Sequence, residues 1–154
     1  MTAEAEALVE AILTTSRALI AISARSLADA SEEVTLPQYR TLVVLRSRGP
    51  QSLQQLADEL QVVPSTATRM CDRLVRKELI RRDSAPESRR EVELYVTARG
   101  TALVDEVTAR RRRDIARIVA KMPREHRTEL TAALHQFSLA AGELPDDERF
   151  LGWA

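Results

Sequence analysis

Two short amphipathic segments joined by a three-residue turn constrain this chain more than any other feature. Ser52 occupies a helix-capping position, and apolar residues follow it at helical spacing over about nine residues: Leu53, Leu56, Ala57 and Leu60. The turn comprises residues 61–63, and Pro64 suits the first turn of the next helix because no intrahelical hydrogen bond is lost there. Two helices joined so closely are typical of a helix-turn-helix.

The second segment, residues 64–77, has an apolar side and a polar side. Its apolar side comprises Ala67, Met70, Cys71, Leu74 and Val75, and its polar side carries hydroxyl and basic residues: Ser65, Thr66, Thr68, Arg69, Arg73, Arg76 and Lys77. A DNA major groove accepts one such helix. We expect Ser65 and Thr66 to reach phosphates or base edges, and Arg69 to form two hydrogen bonds with guanine. Thr68 offers a hydroxyl and a methyl group. The three later basic residues follow the flanking phosphates. An ordinary solvated face is the alternative interpretation.

Two strands are predicted next, over residues 79–82 and 91–97, because the second alternates apolar and polar side chains. The polar residues 83–90 between them are too many for a tight hairpin turn and predict a projecting loop. Arg89 and Arg90 at its tip can enter a DNA minor groove, drawn by the negative potential there. Two solvated arginines are the alternative if no hairpin forms.

Long helices are predicted on both sides of this region. Apolar spacing indicates a helix from Ala5 to about Ala30, Thr35 can cap a second helix that ends at Gly49, and two more begin near Ala98 and Pro123. With only 3% aromatic residues and four glycines, the composition also favours helix over strand. We therefore predict a mainly α fold with a small β-hairpin wing.

The net charge of zero conceals an uneven distribution. Residues 1–35 and 123–154 carry net charges of −4 and −3, whereas residues 36–63, 64–99 and 100–122 carry +1, +3 and +3. A basic middle with acidic ends fits a chain whose centre faces DNA.

Several other classes of protein are disfavoured. One cysteine and two distant histidines, His126 and His135, predict neither an internal disulfide nor a metal site, and we expect no cofactor. An enzyme is not expected, because no Ser-His-Asp set, Cys-His pair or glycine-rich phosphate loop is evident. We predict no apolar run that approaches the roughly 20 residues of a bilayer span, and the N-terminus lacks the features of a secretory signal. These observations predict a cytoplasmic protein without a membrane partner.

Four stretches of this sequence resemble the MarR family of bacterial regulators: residues 52–60, residues 63–74, Pro86-Glu87-Ser88-Arg89-Arg90 and Leu94-Tyr95-Val96-Thr97. The resemblance implies a winged helix-turn-helix in an intertwined homodimer that binds a palindromic operator in double-stranded DNA, with Arg90 in the minor groove. Residues 1–35 and 101–141 would then be dimerisation helices, residues 36–100 the DNA-binding domain and residues 142–154 an acidic tail. Similar regulators are usually repressors that small, often phenolic, ligands release.

Two positions depart from the family pattern. Ser88 stands where an aspartate commonly precedes the arginine pair, so Glu87 or Asp72 is expected to orient Arg90 instead, or the wing is more mobile. Val63 stands where a serine or aspartate commonly caps the helix, which costs the helix start about 1 kcal/mol.

The remaining candidates concern DNA, a ligand and internal ion pairs. Gln38 and Ser52, at the starts of two earlier helices, complete the set expected to contact DNA, and Arg17 and Tyr39 are effector-binding candidates at the junction of the first two helices. Ordinary packing and solvent exposure are the alternative for Arg17 and Tyr39. The run Arg110–Arg113 is expected to pair with Glu4, Glu6, Glu10 or the tail, with contact to DNA as the alternative. A winged-helix module that binds protein rather than DNA is the alternative function.

Overall fold

The computed structural model describes residues 1–31, 33–85 and 88–143, except for the side chains of residues 85 and 88–91. Within these ranges it contains six α-helices: α1 (Ala3–Ala28), α2 (Leu36–Arg48), α3 (Leu53–Leu60), α4 (Pro64–Arg76), α5 (Ala98–Ala120) and α6 (Arg127–Ala140). Three strands and a short 3-10 helix complete this part of the chain: β1 (Gln51–Ser52), β2 (Ile80–Ala85), β3 (Ser88–Val96) and Arg124–His126. The predicted mainly α fold with a small β wing is confirmed.

The helices around the predicted turn begin at the expected capping residues. Ser52 accepts a hydrogen bond from the Gln55 backbone N–H at 3.2 Å, and the Ser52 N–H donates to Gln55 Oε1 at 2.9 Å. Thr35 forms the same reciprocal box at the start of α2. Pro64 starts α4, and Val63 before it makes no side-chain cap, as its apolar side chain dictates.

The sheet is antiparallel, with β3 between β1 and β2. Gln51 pairs with Leu94, and Ile80 pairs with Val96. The ladder of β2 and β3 extends to the pair Ala85 and Ser88, so the prediction of a loop from residue 83 to residue 90 is wrong in its extent. Backbone hydrogen bonds do not require apolar side chains, and a ladder therefore continues through polar sequence.

One core joins the helix-turn-helix, the sheet and the first part of α5. Leu42 of α2, Leu56 of α3, Leu74 of α4 and Val107 of α5 have no exposed surface, and Leu94 of β3 belongs to the same cluster. Helix α1 contributes Leu27 near its end. The DNA-binding elements predicted from the sequence are therefore anchored directly to the base of α5.

Helices α1 and α6 expose apolar faces within a single chain. The large exposed apolar residues on these helices are Leu8, Val9, Leu13, Leu19 and Ile20 of α1, with Leu130, Leu134, Phe137 and Leu139 of α6. Exposed apolar residues grouped on helices in this way are typical of an interaction surface.

Helix α1 is also long and apolar enough to cross a membrane by length and composition, with a mean hydropathy of 1.5 in its most apolar window. The prediction that no apolar run approaches this length was therefore wrong. One such helix is weak evidence for a span, and charged residues, including Glu10 and Arg17, interrupt this one.

Gly100 in the first turn of α5 lies against the backbone before β2. A Cβ atom at Gly100 would lie 2.2 Å from the Leu79 carbonyl oxygen and 2.8 Å from a methyl carbon of Val96. Because one of these neighbours is backbone, the contact cannot be relieved by a side-chain rotation.

We expect Gly100→Ala to lower the free energy of unfolding by about 2 kcal/mol or more, because overpacking forces the core to shift. Gly142→Ala is the matched control: no described residue lies within 4 Å of its added Cβ, so among these residues only its φ of +71° opposes alanine. That backbone cost is about 1 kcal/mol. Urea denaturation at fixed protein concentration measures both values, and a larger loss for Gly142→Ala would contradict the close contact at Gly100.

Cys71 belongs to the buried side of α4, as predicted. Its side chain has no exposed surface, and burial raises the pKa of the thiol to about 11, with a smaller opposing effect from the Arg82 charge. The neutral thiol therefore predominates at physiological pH, so Cys71 behaves as a small apolar residue.

The native protein should react with Ellman's reagent far more slowly than the protein unfolded in guanidinium chloride. At about pH 8 a thiol with this pKa is roughly one-thousandth ionised, and burial also blocks the reagent. Comparing the two rates with that of free cysteine tests the burial. Rapid stoichiometric labelling of the native protein would show that Cys71 is accessible.

Candidate nucleic-acid interface

Helix α4 separates its buried and exposed residues by rotation about one axis. Ala67, Cys71 and Leu74 have no exposed surface, and they recur at intervals of three and four residues. The side chains predicted to contact DNA lie elsewhere on the helix: Ser65, Arg69, Arg73 and Arg76 are exposed, and Thr66 and Thr68 are partly buried. These six residues therefore share one accessible surface of the helix.

Two of these side chains hydrogen-bond to the backbone at the start of α4. The Thr68 hydroxyl donates to the Pro64 carbonyl at 2.9 Å, and the Arg69 Nε donates to the Ser65 carbonyl at 3.3 Å. The Thr68 hydroxyl oxygen can still accept a hydrogen bond. The Arg69 contact holds the guanidinium along the first turn, where its terminal nitrogens can reach a ligand in front of the helix.

Three predicted contact residues have other roles in the structure. Gln38 is only 3% exposed, and its amide oxygen accepts from the Thr35 N–H at 3.2 Å. Ser52 caps α3 in the same manner. The Lys77 ammonium donates to the Glu33 carbonyl before α2. Gln38 and Ser52 therefore serve as capping residues and Lys77 makes a loop contact, and their predicted contacts with DNA stay predictions.

An ion pair connects the hairpin to α4. Arg82 of β2 donates to the Asp72 carboxylate of α4 at 2.6 Å. Asp72, one of the two predicted partners of Arg90, is therefore paired with Arg82. Glu87 and the side chains of Arg89 and Arg90 lie outside the described part of the chain, so their predicted roles stay predictions.

The opposite face of the hairpin carries a second charged cluster. The Arg81 guanidinium carbon lies 4.5 Å from the centre of the Tyr95 ring, and Arg81 also pairs with Asp83. Asp83 lies directly opposite Glu93 across the strands, a repulsive arrangement that Arg81 offsets. The Tyr95 hydroxyl donates to Glu93 at 2.9 Å, and this hydrogen bond is the main cause of the raised pKa of Tyr95.

Sequence reasoning missed the pairings of Arg81 and Arg82. The alternation of β2 places these two residues on opposite faces, which was an available signal. Their partners were not available from sequence, because Asp72 precedes Arg82 by ten residues on a different element. Arg82 thus joins the residues that determine where the wing lies relative to α4.

The two effector candidates occupy different environments. Arg17 is exposed on α1 and donates to Thr14 of its own helix at 3.2 Å. Tyr39 is 6% exposed in the core, and its buried hydroxyl has no hydrogen-bond partner among the described residues. Tyr39 therefore retains an unsatisfied polar atom, whereas Arg17 faces solvent.

Within the described residues, the arginine run of α5 pairs with a carboxylate beyond its own helix through Arg110. Arg110 pairs with Glu106 at 2.8 Å and lies 3.8 Å from the Asp29 carboxylate, just after α1. Among the described residues Arg110 thus pairs near the end of α1 rather than with Glu4, Glu6 or Glu10. The predicted pairing with the tail falls on residues 144–154, outside the described part of the chain, and stays a prediction. His126 and His135 are exposed, and the described residues contain no cluster suited to a metal ion.

Comparison with known proteins shows which family this chain resembles. The MarR family profile matches residues 34–92. The HTH-type transcriptional repressor MdtR of Bacillus subtilis is 32% identical over 116 residues, which cover 75% of this chain and 73% of MdtR.

Solved structures agree with this assignment. The crystal structure of RV1404 from Mycobacterium tuberculosis is 46% identical, covers 95% of this chain and 99% of its own, and superposes with a TM-score of 0.87. A mutant of Staphylococcus aureus MepR bound to an oligodeoxyribonucleotide shares the fold at a TM-score of 0.63 and 20% identity, covering 87% of this chain and 97% of MepR. By sequence and by fold, this chain belongs to the MarR family of transcriptional regulators.

Proposed function

We propose that this regulator is a homodimeric repressor that binds a palindromic DNA operator and that a small, possibly phenolic, molecule releases it. The observation that carries the proposal is the exposed surface of α4. It presents the Arg69 guanidinium beside the hydroxyls of Ser65, Thr66 and Thr68, in front of a well-packed core. Hydroxyl and guanidinium groups read base edges in a major groove, and arginine binds guanine with two hydrogen bonds.

The wing supplies the second contact of this proposal. Arg82 and Asp72 tie β2 to α4, so the hairpin and the recognition helix would approach DNA together. Arg89 and Arg90 belong to β3, next to the hairpin turn, and in the proposal they enter the adjacent minor groove. MdtR is named a transcriptional repressor and the MepR structure contains DNA, and both observations support this proposal for a related chain.

The homodimer is supported by the apolar faces that α1 and α6 leave uncovered within one chain. A second copy would cover them symmetrically, with residues 1–35 and 101–141 acting as the dimerisation helices. Two copies of α4 would then reach successive major grooves about 34 Å apart, which requires a palindromic operator.

The effector is supported by three of the four buried side-chain atoms that lack partners among the described residues, the fourth being Gln51 Oε1 on β1. The three atoms are Ser26 Oγ on α1, Tyr39 Oη on α2 and Arg111 Nε on α5, three helices that contact one another. Buried polar groups normally have partners, so a ligand with a hydroxyl or carboxylate group would satisfy them. Such a ligand releases DNA if it favours a dimer shape with a different separation of the recognition helices.

We expect Arg69→Ala to weaken operator binding by about 1–3 kcal/mol and to relax the base preference at one position of each half-site. Arg90→Ala should weaken binding most at sites with a narrow minor groove. The operator is first selected from a random DNA pool with the wild-type protein, and fluorescence anisotropy then gives the dissociation constants.

Arg124→Ala is the matched control, because it removes the same charge beyond the far end of α5. Unchanged operator binding by both Arg69→Ala and Arg90→Ala would overturn the assigned roles. A salt titration of the wild type tests the function itself: phosphate contacts must make binding weaken steeply with salt, whereas a module that binds protein through an apolar surface should not respond in this way.

We expect Leu134→Glu to shift the protein towards monomers, because it places a charge on the apolar face of α6. Gln136→Glu adds the same charge two residues further along α6, on another face of the helix, and should leave the assembly unchanged. Sedimentation velocity over a concentration series measures the association. An equal effect of both substitutions, or none for Leu134→Glu, would argue against α6 as the interface.

A further inference from the structure

Helix α6 is joined to the DNA-binding elements of its own chain at its end. None of its residues is buried, and its apolar side chains face outwards. Immediately after α6, the Gly142 carbonyl accepts a hydrogen bond from Arg48 Nη2 at 2.8 Å, and the Glu143 carboxylate pairs with Arg40. These contacts connect the end of the proposed dimerisation helix to α2.

Arg48 extends this connection to a third helix. Its Nε lies 3.1 Å from the Glu59 carboxylate of α3, while its Nη2 binds the end of α6. One planar guanidinium therefore holds α2, α3 and the end of α6 in a single arrangement. Arginine suits this task because its donors point in fixed directions, whereas a lysine ammonium is a point charge on a flexible stem.

The end of α6 is shaped to receive this arginine. Gly142 has a φ of +71°, its N–H donates to the Leu139 carbonyl, and the Glu143 N–H donates to the Ser138 carbonyl at 3.0 Å. This pattern is a Schellman motif, which ends the helix in a defined conformation. The negative end of the helix dipole lies there, and it favours the nearby guanidinium groups of Arg40 and Arg48.

We infer that Arg48 is a positioning residue for operator recognition, which sets the orientation of the recognition helix relative to the dimerisation helices. The inference rests on the proposed function as a dimer on a palindromic operator. The base of α5 is one attachment between the two parts, through Val104 and Val107 in the core. Leu27 at the end of α1 and the Arg46–Asp105 ion pair between α2 and α5 are further attachments. Arg48 adds one that runs from the end of α6 to α3, which packs directly on α4, and so limits rotation about the others.

The test uses DNA-binding geometry rather than affinity alone. One base pair inserted at the centre of the selected operator turns one half-site by about 35° relative to the other and moves it by about 3.4 Å. A dimer with firmly oriented recognition helices must lose much of its affinity for this longer operator. A dimer whose recognition helices can change their orientation must lose less affinity for the longer operator.

We expect Arg48→Gln to weaken binding to the selected operator about tenfold, a typical size for coupling between two parts of a protein, and to reduce the penalty for the inserted base pair several-fold. Glu59→Gln, which breaks only the contact to α3, should change both values in the same direction. Arg48→Lys should behave almost like Arg48→Gln in both measurements, because a lysine cannot contact Glu59 and the Gly142 carbonyl together. Arg117→Gln is the control: it removes an ion pair with Asp114 inside α5 and should leave both values unchanged.

Each outcome decides the inference. An insertion penalty equal to that of the wild type overturns it, even if overall affinity or the Tm falls, because such a change indicates a purely structural role. A salt dependence that becomes weaker by about one phosphate contact, with the same insertion penalty, would make Arg48 a DNA contact and also overturns it. A reduced penalty with unchanged Tm and salt dependence supports it.

A measurement without DNA separates this inference from the proposed function. A nitroxide label at Arg76→Cys on α4 reports the distance between the two recognition helices of a dimer by pulsed electron resonance, while buried Cys71 stays unlabelled. Arg48→Gln should broaden this distance distribution and Arg117→Gln should not. An unchanged distribution overturns the inference, whereas a wild-type protein without operator preference overturns the proposed function alone. Absence of a dimer would overturn both.

Discussion

The packing of α4 against the core determines which of its side chains face solvent. Ala67, Cys71 and Leu74 have no exposed surface, and their spacing fixes the rotation of the helix. Successive residues differ by about 100° around the axis, so a shift of one residue would bury Arg73 and expose Leu74. Burying an unpaired charge costs several kcal/mol. The surface around Arg69 is therefore a direct consequence of apolar packing beneath it.

Helix α4 also contacts the β2–β3 hairpin, through an ion pair at the edge of its packed side. Asp72 follows the buried Cys71, at the border between the packed side and the accessible side, and there it meets Arg82 of β2. Both side chains are about 40% exposed, so this ion pair adds little to overall stability. Its contribution is geometric, because it limits the rotation of the hairpin relative to α4. The orientation of the hairpin relative to α4 thus depends on one core and one ion pair.

Sequence reasoning predicted the helices well because capping residues and apolar spacing are local signals. Ser52, Thr35 and Pro64 mark the starts of three helices, and the structure begins each helix there. Sequence reasoning could not predict ion-pair partners that tertiary packing brings together, such as Arg82 and Asp72. Gln38 illustrates the limit: at the start of a helix, the same amide serves equally as a DNA contact or as half of a capping box, and only its burial separates the two.

The zero net charge of the chain has a consequence for recognition. Non-specific affinity for DNA grows with the number of phosphates that a protein neutralises, and here the acidic ends of the chain oppose the attraction that its basic middle exerts. Its basic residues are concentrated in the middle of the sequence, whereas residues 1–35 carry a net charge of −4. In the proposed dimer, binding would therefore depend on contacts made only when α4 and the wing fit both half-sites. Such an arrangement would lower affinity for random DNA more than affinity for the operator.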